Sequence, residues 1–212
     1  MNFKALQNKT KNLLIFNKNS LRKLEPQKDA LDANIKYWLK NKKIIALKKS
    51  LYVLTEKYQK ESNKDLFIEY IANQLVRPSY LSTEYILAKY QILTESVNAI
   101  TSVTAKINRE IINTITSFRY SSISPKLFTG FKIKYFNSAP ILEAEKSKAL
   151  FDFLYFRFLK NAKISKMAIK NLRLNWENIS TKEFKKVCSY LKFTSSQKIK
   201  QLFKLIEQEY YA

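Results

Sequence analysis

The chain has 212 residues and a formal net charge of +22 at pH 7, because 39 lysine and arginine residues face 17 aspartate and glutamate residues. The hydrophobic fraction of 46% and the aromatic fraction of 14% are typical of a folded protein and exclude a disordered tail. A surface this basic attracts polyanions, so DNA, RNA, an acidic protein and an anionic membrane are the candidate partners. The plain alternative is a solvated basic surface, since the preference for lysine over arginine is typical of an AT-rich genome.

The first quarter of the chain follows the order helix, short strand, helix, helix and hairpin. Apolar spacing predicts a helix over residues 2–14, and Ile15-Phe16 predicts a short strand. A short helix over 19–24 stops before Pro26, and a third helix begins near Asp29. Two apolar runs joined by a basic turn then predict a hairpin at 44–54. This order is typical of a winged helix-turn-helix domain, which we assign to residues 1–58.

In a winged helix, the third helix enters the DNA major groove and the hairpin lies over phosphates. The apolar stripe of this helix contains Leu31, Ile35 and Trp38, so the opposite face should be exposed. Residues 1–58 carry 14 basic and 4 acidic side chains, or +10. The predicted DNA contacts are Lys36, Tyr37 and Lys40 on the third helix, Lys42, Lys43, Lys48 and Lys49 in the hairpin region, and Arg22 and Lys23 on the second helix.

Two acidic residues weigh against this interpretation. Asp29 and Asp32 lie at the N-terminal end of the third helix, which normally approaches the bases, and both would repel phosphate. Asp29 could cap the helix, and Asp32 could accept a hydrogen bond from cytosine. For any single lysine of the helix, an ordinary solvated face is the alternative explanation.

The rest of the chain predicts a mixed domain over residues 65–212, and the fold class is therefore α+β. The polar segment 55–64 lacks apolar periodicity, and we place a linker at 59–64. Ser82 should cap a helix, and Ser180 with Glu183 forms a capping-box pattern. Gly130 predicts a left-handed turn that tolerates no side chain. Helices are predicted over 65–76, 83–90 and 144–160, with tail helices after 180 and 194, and strands over 99–104, 115–122 and 131–136.

Further basic residues fall in or beside the predicted strands. If the strands share a sheet, several of these residues share a face and form a second polyanion site, although a wet sheet face explains them at least as well. Interleaved tyrosine and phenylalanine residues also support an alternative function, RNA binding through stacked bases. A basic module that docks an acidic protein is a second alternative. The residues of this second basic patch are Lys106, Arg109, Arg119, Lys126, Lys132 and Lys134.

The residue types exclude most catalytic chemistry. There is no histidine, and Gly130 is the only glycine, so histidine bases, histidine zinc sites and glycine-rich phosphate loops are excluded. Glu143 and Glu145 are explained as capping charge at a helix start rather than as a catalytic pair. We expect no enzymatic activity, no metal site and no cofactor.

The single cysteine, Cys188, excludes an intramolecular disulfide, and its helical context predicts a small core residue. No apolar run approaches the roughly 18 residues of a membrane span. The first residues also lack the apolar stretch of a signal peptide. The sequence therefore predicts a cytoplasmic protein that has no membrane partner.

Three segments resemble the AbiEi family, the antitoxins of bacterial abortive-infection toxin–antitoxin pairs. Segment 39–54 resembles the family's basic hairpin, which ends in a Gly-Leu-Tyr step. Segment 78–95, which contains Tyr80-Leu81-Ser82, resembles its Tyr-[Val/Leu]-Ser helix. Segment 148–157, KALFDFLYFR, is similar to its Glu-Lys-Ala-Leu-Leu-Asp-Leu-Leu-Tyr segment. The order and spacing of these segments carry the resemblance, which extends to Arg157.

The resemblance implies two roles. The winged helix would bind inverted repeats in its own promoter as double-stranded DNA and repress the operon. The second domain would oppose a nucleotidyltransferase-like toxin without forming a stable complex. Two positions depart from the family pattern: Ser50 replaces the usual glycine of the wing, and Ser147 stands where the family often has glutamate. Serine disfavours a positive φ, so Ser50 leaves the turn type open.

Overall fold

The computed structural model describes residues 1–159 and 163–211. Within these ranges the chain is a mixed α/β protein with ten α-helices, a three-stranded sheet and a six-stranded sheet. The chain divides into two compact units. Unit 1 comprises Met1–Ile71 and Ile111–Thr116, and unit 2 comprises Ala72–Glu110 and Ser117–Ala212. Every helix in the described ranges is too short or too polar to traverse a lipid bilayer.

The first six elements of unit 1 occur in the predicted order. The three strands pair antiparallel, with Phe16 opposite Tyr52 and Ile45 opposite Val53. The third helix buries Leu31, Ile35 and Trp38 in the core of the unit, because these residues recur on one helical face. The elements are α1 (Phe3–Thr10), β1 (Phe16–Asn17), α2 (Lys18–Leu21), α3 (Lys28–Lys40), β2 (Ile44–Lys48) and β3 (Leu51–Leu54), and the order of the strands in the sheet is β1-β3-β2.

Asparagine side chains start the first two helices. The Asn2 side chain accepts a hydrogen bond from the Ala5 backbone N–H at 2.9 Å, and that of Asn17 accepts one from Ser20 at 2.8 Å. The second helix therefore begins at Lys18 and ends at Leu21, earlier at both ends than the prediction of 19–24.

The polar segment 55–64, which lacks apolar periodicity, is helical over its first six residues, so the linker that we placed at 59–64 begins inside a helix. Thr55–Lys60 forms α4, and α5 (Lys64–Leu75) follows after a short break. Side-chain hydrogen bonds, rather than an apolar stripe, hold α4: the Lys57 ammonium group donates to the carbonyl oxygens of Lys11 at 3.0 Å and Leu13 at 2.6 Å. Such contacts leave no periodic signal in the sequence.

The second sheet is mixed and has six strands. They are β4 (Ser79–Leu81), β5 (Ala99–Thr104), β6 (Arg109–Ile112), β7 (Ser117–Ser122), β8 (Phe131–Phe136) and β9 (Ala139–Ala144), in the order β6-β7-β5-β4-β9-β8. Three of these strands, β5, β7 and β8, confirm the predictions, although β7 begins at Ser117 rather than at residue 115. The other three were not predicted: β4 is buried throughout and shows no alternation, and β6 is mostly exposed.

A two-residue turn joins β8 to β9. Asn137 and Ser138 have φ values of 45° and 67°, as the tight turns of hairpins require. Because the sequence lacks the glycine that usually marks such a turn, neither the hairpin nor β9 was predicted. In contrast, Gly130 has the predicted positive φ of 77°, and a Cβ atom there would lie 2.8 Å from Cζ of Tyr190. The predicted left-handed turn is therefore confirmed, and a side chain at this position would have to displace the Tyr190 ring.

The helices of unit 2 confirm one predicted cap and correct another. Ser180 and Glu183 form the predicted capping box at the start of the helix. Ser82 precedes a helix as predicted, but its hydroxyl group makes no capping hydrogen bond. The Thr101 hydroxyl instead accepts the hydrogen bond of the Tyr85 backbone N–H, at 3.0 Å. These helices are α6 (Thr83–Lys89), α7 (Lys146–Leu159), α8 (Lys166–Lys170), α9 (Thr181–Ser189) and α10 (Gln197–Tyr210), and the predicted end of α7 at residue 160 lies outside the described residues.

Candidate nucleic-acid interface

One face of α3 is exposed and carries the predicted helix contacts. Lys36, Tyr37 and Lys40 are all exposed, and 55% of the Tyr37 surface is accessible. They lie opposite the buried stripe because α3 is amphipathic, with a period of about 3.6 residues. A phenol and two ammonium groups on one rigid face can donate hydrogen bonds to phosphates or base edges.

The β2–β3 hairpin, which we call the basic hairpin, carries two adjacent lysines at its tip. Lys49 is exposed and Lys48 is half-buried. Ser50, the next residue, has a φ of 63°, so it adopts the left-handed conformation that a glycine would favour. The Lys18 backbone N–H donates to the Ser50 carbonyl oxygen at 3.0 Å, which ties the tip to the start of α2. The tip therefore presents its cations from an anchored turn.

The two lysines between α3 and β2 differ in their surroundings. Lys42 is exposed and has a φ of 51° just after the helix end. Lys43 is half-buried, and its ammonium nitrogen lies 4.9 Å from the ring centre of Phe3 and 5.4 Å from that of Tyr37. This cation–π packing holds Lys43 against two aromatic rings, so it extends the basic strip less than the sequence implied.

Two predicted phosphate contacts follow α2. Arg22 and Lys23 are both exposed, but they lie in the turn after the helix and not on the second helix as predicted, because α2 ends at Leu21. Asp32, one of the two acids that weigh against phosphate binding, forms an ion pair with Lys18. The hydrogen bond that Lys18 donates to Asp32 holds the pKa of Asp32 below its usual value, and burial opposes that shift. The positive charge of Lys18 therefore offsets one acid, while Asp29 stays exposed at the start of α3.

The six residues of the second basic patch do not lie together. Arg119 on β7 and Lys132 on β8 are four strand positions apart in the sheet, which corresponds to roughly 19 Å. Arg119 pairs with Glu110 at 2.8 Å. Lys106, Arg109 and Lys126 are exposed.

The buried carboxylate of Glu143 forms ion pairs with three lysines at the β8 end of the sheet. Glu143 lies 3.1 Å from the ammonium nitrogen of Lys89 and 3.5 Å from that of Lys132, and it also forms an ion pair with Lys134. Burial acts to raise the pKa of Glu143, but the hydrogen bonds and charges of Lys134 and Lys89 outweigh it and hold that pKa below its usual value. Glu143 is thus part of an ion cluster and not a helix cap as predicted.

The aromatic residues of β7 are not exposed. Phe118 and Tyr120 are 0% and 2% accessible, and the Tyr120 hydroxyl donates to the Ala72 carbonyl oxygen at 2.7 Å. They cannot stack on bases while the sheet is intact. The exposed face of β7 carries Ser117, Arg119 and Ser121 instead. The sheet therefore lacks, on this strand, the stacking platform that the RNA-binding alternative needs.

Sequence reasoning missed a polar cluster in the interior of unit 2. Lys148 and Asp152, one turn apart on α7, form an ion pair and are both 0% accessible. Asp152 also accepts hydrogen bonds from Tyr80 at 2.9 Å and Ser82 at 2.8 Å. The Lys148 ammonium nitrogen lies 5.7 Å from the ring centre of Tyr80. Burial lowers the pKa of Lys148 and raises that of Asp152, and the ion pair opposes both shifts.

The sequence contains a signal for this cluster, but that signal is ambiguous. A lysine and an aspartate at spacing i, i+4 are more often a solvated pair, and only the broad apolar surface of α7 indicates that they are buried.

No protein-family model matches the chain, and no curated protein matches it either.

Proposed function

We propose that this protein is a sequence-specific, DNA-binding transcriptional regulator and that the start of unit 1 acts as a winged helix. The observation that carries the proposal is the exposed face of α3, with Lys36, Tyr37 and Lys40, beside a basic hairpin that ends in Lys48 and Lys49. A helix with this surface fits the major groove, while lysines at a hairpin tip suit the flanking phosphates.

The charge of the first 58 residues, +10, supports the same proposal. Phosphate contacts supply most of the affinity of such proteins, so binding should weaken steeply as salt rises, by roughly 0.9 log units in K per log unit of salt for each phosphate neutralised. Specificity would come from Lys36 and Tyr37, whose side chains are exposed on α3. Asp29 does not cap the helix as predicted, because the N-cap residue of α3 is Gln27 and Asp29 lies inside the first helical turn.

The resemblance to the AbiEi family extends the proposal to an antitoxin that represses its own operon in the cytoplasm. In this proposal, unit 2 opposes a nucleotidyltransferase-like toxin without a stable complex. The support is the order of the three resembling segments, together with the finding that Tyr80 and Ser82 of one segment donate hydrogen bonds to Asp152 of another. Two of the three segments are therefore joined by hydrogen bonds between their side chains.

The DNA-binding proposal is tested by titrating the purified protein against its own upstream DNA and a shuffled duplex, by fluorescence anisotropy at about 150 mM salt. A specific regulator should prefer its own DNA by about 10³-fold or more. Equal, salt-sensitive binding to both duplexes would contradict sequence-specific regulation. Tighter binding of single-stranded RNA than of either duplex would favour the RNA-binding alternative.

The antitoxin role needs a separate test in cells. A neighbouring gene for a nucleotidyltransferase-like protein would be induced with and without this chain, and growth would be followed. We expect the chain to restore growth, and an Asp152→Ala variant, which loses the buried cluster, to restore it poorly. Growth arrest that persists with the wild-type chain would overturn the antitoxin proposal and leave the DNA-binding proposal unchanged.

A further inference from the structure

Unit 1 contains a groove of about 750 Å³ beside the basic hairpin. Its walls are mostly aliphatic, with Ile44, Ile45 and Leu47 from β2 and with Ile111 and Ile112 from the second segment of the unit. The amide nitrogen of the Asn113 side chain donates to the Leu47 carbonyl oxygen at 3.0 Å. This hydrogen bond holds the two walls together, so the groove is a formed feature of the unit.

The groove exposes apolar surface at a sheet edge. Ile112 is 74% accessible and Ile45 is half-buried, and β2 is an outer strand of the three-stranded sheet. An apolar concave surface next to an outer strand is a common place for a partner segment to dock. Burial of this surface would supply affinity that lysine contacts to phosphate do not supply.

The rim determines the chemistry of the occupant. Lys42, Lys48 and Lys49 line the groove, and none of the described side chains that line it is acidic. The Thr55 hydroxyl oxygen is buried and has no hydrogen-bond partner among the described residues. A second copy of the chain is a poor occupant, because each copy carries a net charge of +22. A nucleic acid would pair with the lysines but leave the aliphatic floor uncovered.

We propose that the groove docks an acidic segment of a partner protein. Aliphatic or aromatic side chains of the segment contact Ile45 and Ile112, and its carboxylates pair with Lys42, Lys48 and Lys49. One consequence rests on the proposed function: Lys48 and Lys49 are also the predicted phosphate contacts of the basic hairpin. The docked segment and DNA therefore compete for the same two lysines, and partner binding releases the protein from its DNA.

The test uses the full chain and a fluorescein-labelled peptide in which leucine and glutamate alternate. A peptide of alternating leucine and lysine keeps the apolar side chains and reverses the charge. We expect saturable binding of the first peptide only. Ile112→Asp should weaken this binding about tenfold or more, because it removes an aliphatic side chain that the docked segment would cover and adds a charge that repels the carboxylates of the segment. Ile107→Asp is the matched control, since Ile107 is 71% accessible and does not line the groove.

Each outcome supports or contradicts the docking site or its competition with DNA. Failure of the leucine–glutamate peptide to bind, or equal losses from the Ile112 and Ile107 substitutions, would overturn the docking site. Peptide binding through Ile112 without a preference for the chain's own DNA would retain the docking site and contradict the proposed function. Peptide binding that leaves the apparent Kd for duplex DNA unchanged would refute the competition. The expected result is a rise in that Kd as the peptide saturates.

Discussion

The hydroxyl group of Tyr80 donates a hydrogen bond to Asp152 at 2.9 Å, and both side chains are buried. Ser82 donates to the same carboxylate oxygen, and Lys148 forms an ion pair with the other one. The cluster joins β4 and the start of α6 to the middle of α7. These four polar side chains can be buried in two mostly apolar segments because they satisfy one another's hydrogen-bonding groups and charges inside the unit.

Removal of the buried carboxylate should be costly. Asp152→Ala leaves the Lys148 ammonium group buried without its counter-charge, and we expect the free energy of unfolding to fall by about 3–5 kcal/mol. The double variant Lys148→Met with Asp152→Leu removes both charges and should recover a large part of that loss. Urea unfolding followed by circular dichroism measures both. A loss below about 1 kcal/mol for the single change would show that the pair behaves as a solvated one.

Relief of backbone strain at the hairpin tip should stabilise unit 1. Ser50 has a φ of 63°, so we expect Ser50→Gly to raise the free energy of unfolding by about 0.5–1 kcal/mol. Ser62→Gly is the matched control, because Ser62 is exposed and does not have a positive φ. The control should be neutral or destabilising. Equal effects of the two changes on the urea midpoint would refute strain at Ser50.

The basic hairpin should contribute affinity without sequence preference. Lys48→Ala with Lys49→Ala should weaken binding to every duplex about equally and lower the salt slope by up to about two units, since each lost phosphate contact removes roughly 0.9. The pair Lys182→Ala and Lys185→Ala removes the same charge from exposed positions on α9 and should leave the slope nearly unchanged. Anisotropy titrations across a range of salt concentrations give the slopes. An unchanged slope for the hairpin variant would remove the hairpin from the DNA interface.

The exposed face of α3 should instead carry the specificity. If either side chain contacts a base edge, Lys36→Ala or Tyr37→Ala should narrow the free-energy gap between specific and random DNA by about 1–3 kcal/mol. Both side chains are exposed, so neither change should alter the stability of the helix greatly. Paired titrations with specific and shuffled duplexes measure the gap. A gap that survives both changes would show that α3 is not the recognition helix.

The Glu143 cluster should make unit 2 sensitive to acid. Its folded-state pKa lies below the unfolded-state value of 4.5, so its contribution to stability is present above that value and is lost as the pH falls through the folded-state pKa. Between about pH 5 and pH 3, the wild type should therefore lose stability more steeply than Glu143→Gln. Glu177→Gln, at an exposed position, is the matched control. Parallel curves for the wild type and Glu143→Gln would contradict the role of the cluster.

Much of unit 1 was predictable because its signals are local. The spacing of Leu31, Ile35 and Trp38 marks one face of a helix, and the apolar runs around Lys49 mark a hairpin. The same spacing places Lys36, Tyr37 and Lys40 on the opposite, exposed face. The prediction failed for α4, which is anchored by two hydrogen bonds that Lys57 donates to carbonyl oxygens 44 and 46 positions earlier in the chain.

The sequence by itself determined the charge, the lack of a disulfide within the chain and the faces of its regular helices. Only the tertiary structure decided which polar groups are buried and which partners they have. Ser82 could cap α6 or donate to Asp152, which is 70 positions later, and the fold selects Asp152 while Thr101 provides the cap. Periodicity specifies the face on which a side chain lies. Its partner depends on what the folded chain places opposite that face, and this cannot be read from local spacing.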